Sequence, residues 1–182
     1  MLDNASSASV APPPTLLILV GPPGTGKSTL ARGIRDATGA AIIQSDAIRK
    51  ALVPAPTYLP AESAWVHRVA HQRLQQKLSR GLDAIADATN LRRAHRRVLY
   101  AIASARGARS LAVVTWAPES VIKTRLERRL VKTDERDRSD ATWAVYLHLR
   151  DTFESLAEPH IVINTNVSLD PSIRRICAMM ER

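Results

Sequence analysis

The sequence contains a single cysteine, Cys177, among its 182 residues. One cysteine excludes an internal disulfide framework, and no cysteine–histidine cluster is present that would indicate structural zinc. The longest strongly apolar run, Leu16–Val20, is far shorter than the roughly 20 residues of a membrane-spanning helix. The N-terminal segment also lacks the basic start of a signal peptide, so we expect a cytoplasmic protein.

Aromatic residues are scarce, at 4% of the chain, which argues against the extended base-stacking surfaces of single-strand-binding proteins. Basic residues, in contrast, outnumber acidic ones by 26 to 17, and the formal net charge is +9. This charge indicates either a polyanionic partner, such as a nucleotide or nucleic acid, or a compositional bias toward arginine, since only five of the basic residues are lysines.

The apolar pattern predicts one three-layer α/β domain over residues 15–182, preceded by a flexible tail, Met1–Pro14. Five short apolar runs are predicted strands: Thr15–Val20, Ala41–Gln44, Leu82–Ala86, Ser110–Trp116 and Ile161–Asn164. The predicted helices are Lys27–Ala37, Asp46–Leu52, Ala61–Ser79, Leu91–Arg106, Pro118–Val131, Ser139–Ala157 and Pro171–Met180. Buried strands that alternate with helices indicate a parallel sheet covered on both faces.

A phosphate-binding pattern, G-x-x-x-x-G-K-S, follows the first predicted strand and opens the first helix. Glycines in such a loop allow backbone N–H groups to point at phosphates, and the helix N-terminus adds partial positive charge. We expect Lys27 to contact the β- and γ-phosphates and the Ser28 hydroxyl to bind Mg²⁺. The predicted ATP-binding residues are Gly21, Pro22, Pro23, Gly24, Thr25, Gly26, Lys27, Ser28 and Thr29.

Polar residues follow the second and third predicted strands, whose carboxyl ends converge on one crevice in a parallel sheet. Asp46 is placed to orient an acceptor hydroxyl and take its proton, or alternatively to cap its own helix. Arg49, on the same helical face, could hold an anionic group of the acceptor. Asp87 is a candidate for the Mg²⁺ shell, and Thr89 and Asn90 face the same crevice.

Two arginine-rich segments complete the pattern. The segment Val121–Arg138 is predicted to form a lid, in which Arg125 and Arg129 share one helix face and stabilise the transferred phosphoryl group. A solvated face in which acidic neighbours pair with these charges is the alternative. Arg93 belongs to a second basic cluster with Arg92, Arg96 and Arg97, which either binds a nucleic-acid backbone or forms a solvated helix face.

Taken together, the loop Gly21–Ser28, the segment Ser45–Arg49 and the segment Asp87–Leu91 followed by Arg92 and Arg93 resemble the kinase module of 5′-polynucleotide kinases. They also resemble the wider group of P-loop kinases that includes zeta-toxin-like enzymes. This resemblance implies a P-loop NTPase fold with a five-stranded parallel sheet in the order 2-3-1-4-5, helices on both faces and a mobile lid within residues 119–140. It implies Asp46 as general base, Arg49 on an acceptor phosphate, and Thr89 and Asn90 on the acceptor side.

These patterns predict an enzyme that uses ATP and Mg²⁺ to phosphorylate a hydroxyl group. The preferred acceptor is a nucleic-acid 5′-hydroxyl, with Arg49, Thr89, Asn90 and Arg93 as its contacts. A small-molecule hydroxyl, such as that of a sugar, nucleotide-sugar or antibiotic, is the close alternative, because the sequence contains no D-x-D-x-T phosphatase pattern that would accompany end healing. A further alternative is a non-catalytic module in which ATP controls binding to a partner.

Overall fold

A computed structural model describes residues 12–131 and 141–181 of the chain. Five strands form one parallel sheet in the order β2-β3-β1-β4-β5, which confirms the predicted topology. The strands are β1 (Thr15–Val20), β2 (Ala41–Gln44), β3 (Ala84–Asp87), β4 (Arg109–Trp116) and β5 (His160–Asn164). The helices are α1 (Lys27–Thr38), α2 (Ser45–Leu52), α3 (Pro60–Leu78), α4 (Arg93–Ala105), α5 (Glu119–Val131), α6 (Trp143–Arg150) and α7 (Asp170–Met180).

The central strand β1 is buried along its whole length, because both faces of the sheet are covered by helices. Leu16 and Ile18 pack toward α3 and α4, in a cluster that includes Leu74 and Leu99. Leu17 and Leu19 face the opposite way and pack against α1 and α7. The alternation of side chains along one strand thus joins two hydrophobic layers.

The carboxyl ends of β1, β2 and β3 are followed by the segments that sequence analysis assigned to the site. β1 leads into the phosphate loop, β2 leads directly into α2, and β3 ends at Asp87. A smaller cluster formed by Ile122 and Leu126 of α5 and Tyr146 of α6 packs these two helices together at this same edge. The fold therefore concentrates the candidate residues at one edge of the sheet.

Several predicted boundaries differ from the structure, and two of the differences have a clear physical reason. The third strand begins at Ala84 and not at Leu82, because Leu82 is 47% exposed and the Asp83 carboxylate accepts a hydrogen bond from the Thr15 N–H group at the start of β1. The sixth helix is shorter than the predicted Ser139–Ala157. It ends at Arg150, since the backbone of Glu154 forms tertiary hydrogen bonds where a helix would use its own backbone groups.

Part of the predicted tail, residues 1–11, and part of the predicted lid, residues 132–140, lie outside the described residues. Within the described ranges, no helix has both the length and the apolar character needed to cross a membrane.

Candidate active site

The loop between β1 and α1 has the backbone conformation that its sequence pattern predicts. Gly24 has a φ of 81° and Gly26 a φ of 86°, both in the left-handed region that favours glycine. A β-carbon at Gly24 would lie 2.8 Å from Cγ2 of Ile122 in α5. The loop therefore packs directly against the first helix of the predicted lid, and the contact leaves no room for a side chain.

Buried threonines support the loop from the sheet side. The Thr25 hydroxyl donates to the carbonyl oxygen of Pro22 at 2.8 Å and lies 2.8 Å from the Thr115 hydroxyl in β4. The hydroxyl of Thr165, just after β5, donates to the carbonyl oxygen of Thr25 at 2.9 Å. Sequence analysis missed Thr115 and Thr165, because a single threonine at the end of a strand forms no recognisable pattern.

Lys27 is the first residue of α1, and its side chain is buried beside the loop. The ammonium group donates a hydrogen bond to the carbonyl oxygen of Pro22 at 2.9 Å. Burial lowers the pKa of Lys27 to about 8, while the negative charges of Asp87 and Asp46 oppose the shift and the positive charge of Arg129 adds to it. Three charged residues from separate segments of the sequence, Asp46, Asp87 and Arg129, thus interact electrostatically with Lys27.

Asp87 ends β3 and is 3% exposed. Burial raises the pKa of Asp87, and the charge of Lys27 and a hydrogen bond with Ser28 act in the opposite direction. Among the described residues, the Oδ2 atom of Asp87 is buried without a hydrogen-bond partner. A buried carboxylate oxygen that lacks a donor and lies beside a serine hydroxyl suits a hard divalent cation, so Ser28 and Asp87 fit Mg²⁺.

A cavity of about 750 Å³ extends from the phosphate loop past Asp87 to the space between α2, α3 and α6. Its donor side is lined by Gly24, Lys27, Ser28, Thr29, Arg32 and Arg129. Its far side, which we call the acceptor end, is lined by Asp46, Arg49, Tyr58, Ser63, His67 and Thr89. The predicted loop residues Gly21, Pro22 and Thr25 are not part of the cavity lining and shape the loop from behind, whereas Pro23 and Gly26 also line the cavity.

Arg49 lies in the cavity lining, but its positive charge already has a partner. Its guanidinium forms an ion pair with the carboxylate of Glu62 and donates a longer hydrogen bond to the Ser63 hydroxyl, at 3.3 Å. The same guanidinium lies 4.5 Å from the ring centroid of Tyr58. This pairing is at odds with the expectation that Arg49 holds a phosphate of the acceptor.

The turn after β3 is held by buried hydrogen bonds. Asn90 has a φ of 47°, and its side-chain amide donates to the carbonyl oxygen of Leu19 at 2.8 Å. The carbonyl oxygen of Thr89 accepts a hydrogen bond from the Gly21 N–H group at 3.0 Å. Asn90 does not line the cavity, so in this structure its side chain holds the turn that carries Asp87 and Thr89, and it does not face the predicted acceptor position.

The second basic cluster is divided by the structure. Arg96 is fully buried and its guanidinium donates to four backbone carbonyl oxygens, those of Asn90, Leu91, Glu154 and Ser155. It ties the turn after β3 to the segment after α6. Arg93 is exposed at the start of α4, outside the cavity lining, and its backbone N–H group donates to the carboxylate of Glu154 at 2.6 Å. The expected nucleic-acid surface would therefore lack Arg96.

The two predicted lid arginines have different environments. The guanidinium of Arg125 donates to the carbonyl oxygen of Gly24 at 3.2 Å and to the hydroxyl and carbonyl oxygens of Thr165 at 2.9 Å and 2.7 Å. It therefore joins α5 to the phosphate loop and to the end of β5, outside the cavity lining. Arg129 lines the cavity and contributes to the electrostatic environment of Lys27.

Sequence analysis missed much of the cavity wall. Gln44 ends β2 and donates to the Ser28 hydroxyl at 3.2 Å, while α6 contributes Ala144, Val145, His148 and Leu149 to the lining. The position of α6 depends on its packing with α5, so no local sequence pattern assigns the α6 residues to the site. No group of three or more potential metal ligands forms anywhere in the described ranges.

A family model described as an AAA domain matches residues 16–156, which include the phosphate loop, Asp46, Asp87 and α5. The chain belongs to this AAA domain family. No curated protein sequence matches it significantly. The match covers the greater part of the chain and includes every strand but β5.

Solved structures show the same fold in this AAA domain and in kinases. APS kinase CysC from Mycobacterium tuberculosis, in complex with AMPPNP and APS, has a TM-score of 0.71 at 15% identity, covering 94% of this chain and 99% of that one. Gluconokinase from Sinorhizobium meliloti 1021 has a TM-score of 0.63 at 20% identity, covering 94% and 93%. Kti12 from Chaetomium thermophilum, in complex with ADP-AlF3, has a TM-score of 0.69 at 18% identity, covering 90% and 96%.

Proposed function

We propose that this AAA domain transfers the γ-phosphate of ATP to a hydroxyl group of a small molecule. One observation carries the proposal: a single cavity joins the phosphate loop to Asp46 and extends beyond it. A protein that only bound or hydrolysed nucleotide would not need a second compartment with a carboxylate at its entrance. The two kinases among these similar structures support the same class of reaction, as do the nucleotides bound to APS kinase CysC and to Kti12.

Each charged residue at the centre of the cavity has a role in this reaction. Lys27 would stabilise negative charge on the β- and γ-phosphates, and Arg129 would stabilise the γ-phosphoryl oxygens as the group moves. Ser28 and Asp87 would hold Mg²⁺, which when bound neutralises phosphate charge. Asp46 would accept the proton of the acceptor hydroxyl as its oxygen attacks the γ-phosphorus atom, while the bond from that phosphorus to the β,γ-bridging oxygen breaks and ADP leaves.

The size of the cavity supports a small acceptor. A volume of about 750 Å³ is within the range of small-molecule sites and has to hold the phosphates of the donor as well. A nucleic-acid 5′-hydroxyl is the second candidate, favoured by the net charge of +9 and by exposed arginines at the start of α4.

A transfer assay distinguishes these candidates. The protein is incubated with γ-labelled ATP and Mg²⁺, and uncharged sugars, polyols and nucleosides are offered in parallel with 5′-hydroxyl RNA and DNA oligonucleotides. We expect label in the small-molecule fraction. Label on the oligonucleotides alone would establish the second candidate, and nucleotide binding without transfer to any acceptor would support a binding module.

A further inference from the structure

Arg49 is the only arginine at the acceptor end among the described lining residues. Its side chain is 9% exposed and that of Glu62 is 10% exposed, so the ion pair between them is largely removed from water. Loss of solvent strengthens the attraction between the two charges and raises the cost of separating them. An incoming anion would have to compete with Glu62 for the guanidinium.

Glu62 is held in place by more than Arg49. Its Oε2 atom accepts hydrogen bonds from the backbone N–H group of Thr57 at 2.7 Å and from the hydroxyl of Thr57 at 2.8 Å. These hydrogen bonds, the backbone one first, help lower the pKa of Glu62 to about 2, and Arg49 acts in the same direction. The carboxylate is therefore anionic at neutral pH and remains beside Arg49.

Two other ionisable groups of the acceptor end, Asp46 and His67, supply no positive charge, and His148 of α6 is a further titratable group in the cavity lining. Asp46 is an acid, and burial, together with the charges of nearby histidines, lowers the pKa of His67 to about 4, so that His67 is neutral at pH 7. The remaining cationic lining residues, Lys27, Arg32 and Arg129, lie on the donor side, where the triphosphate binds. The acceptor end is consequently neutral to negative when the donor phosphates are in place.

The walls of the acceptor end suit a polar but not anionic molecule. Ser63 and Thr89, whose side chains carry hydroxyl groups, line this end. Tyr58 contributes an aromatic ring. Its backbone has a φ of 58°, and its N–H group donates a hydrogen bond to the carboxylate of Glu62. Val145 and Leu149 contribute apolar surface from α6. Aromatic and apolar surface beside hydrogen-bonding groups suits the mixed surface of a hydroxylated ring.

We propose that the acceptor is a hydroxylated small molecule without a phosphate or carboxylate group, and that the Glu62–Arg49 ion pair excludes anionic acceptors. This inference rests on the proposed function and specifies its substrate class. Glu62 acts here as a specificity-determining residue, because it cancels the one positive charge that would otherwise attract an anion.

The test compares molecules that differ only in the anionic group. Binding of uridine and uridine 3′-monophosphate, and of glucitol and gluconate, is measured by calorimetry to the protein saturated with AMPPNP and Mg²⁺. Phosphoryl transfer to the same four compounds is measured with ATP. In the unsubstituted protein we expect the anionic member of each pair to bind about tenfold more weakly than the neutral one, or not at all.

The variant Glu62→Gln keeps the size of the side chain and releases the charge of Arg49. We expect its affinity for uridine 3′-monophosphate to rise by about tenfold, and the double variant Glu62→Gln, Arg49→Gln to lose that gain. Asp36→Asn is the matched control, because it removes an exposed carboxylate paired with Arg35 and changes the net charge equally. Unchanged AMPPNP affinity would show that each variant has retained its fold.

The inference is overturned if the unsubstituted protein binds the anionic members as well as the neutral ones or better, if it binds none of the four, or if Glu62→Gln leaves anion binding unchanged. Selective binding of neutral compounds with no transfer to any of them has a different meaning. It would contradict the proposed phosphotransferase and leave the assignment of the acceptor end intact.

Discussion

The ammonium group of Lys27 donates a hydrogen bond to the carbonyl oxygen of Pro22, 2.9 Å away in the same phosphate loop. This contact supplies a partner for a buried cation while no phosphate is bound. The burial that requires it also lowers the pKa of Lys27 to about 8, so the lysine that we propose to bind the phosphates has a pKa close to neutral pH. A bound triphosphate, which is negatively charged, would raise that pKa again.

Nucleotide affinity should therefore depend on pH through Lys27. The ammonium form of Lys27 predominates at pH values below its pKa of about 8. Affinity for AMPPNP should therefore be maximal below that pH and fall as the pH rises through it. Between pH 7 and pH 9 we expect roughly a tenfold loss, measured by calorimetry at constant ionic strength. Lys27→Met should bind weakly at every pH, and a pH-dependent loss of the same size in that variant would assign the titration to another group.

Arg125 and Arg129 should respond differently to substitution. Arg125→Ala removes hydrogen bonds to Gly24 and Thr165, so it should lower the melting temperature and weaken nucleotide binding. Arg129→Ala removes a guanidinium that lines the cavity and should reduce the rate of phosphoryl transfer by about 1,000-fold. Thermal unfolding and single-turnover kinetics of the two variants test this division, which fails if Arg129→Ala transfers phosphate at the normal rate.

Arg96 should be essential for stability, although it is an arginine in a basic cluster. Arg96→Met leaves buried carbonyl oxygens without their donor, and we expect it to lower the free energy of unfolding by about 3 kcal/mol. Arg97→Met on the exposed face of α4 is the control and should change it by less than about 0.5 kcal/mol. Equal unfolding midpoints in denaturant for the two variants would contradict the structural role of Arg96.

The fold was largely predictable from the sequence, because its strands are short apolar runs separated by strong helix and turn signals. β1 and β2 have their predicted boundaries, and the strand order follows the expected topology. Predictions were less accurate where tertiary contacts replace local ones. The segment after α6 has a helix-like sequence, yet Arg96 and Leu91 use its backbone groups for long-range hydrogen bonds.

The donor half of the site was also predictable, since the phosphate loop is a continuous pattern with a physical reason for each residue. The acceptor end was less so. Arg49 is in the predicted place, but its ion pair depends on Glu62, which lies at the start of another helix and beyond a proline-rich loop. Likewise, the spacing of Arg125 and Arg129 assigns both to one helix face, while only packing against Thr165 distinguishes them.

The most direct measurement is phosphoryl transfer by the variant Asp46→Asn, with the nucleotide affinity of the same protein determined alongside. Asn keeps the size of the side chain and removes its ability to accept a proton. If this domain is a phosphotransferase with Asp46 as its base, transfer to the acceptor should fall by about 100-fold or more while AMPPNP affinity stays within about twofold. Transfer at the normal rate in this variant would contradict the assignment of Asp46 and, with it, the proposed mechanism.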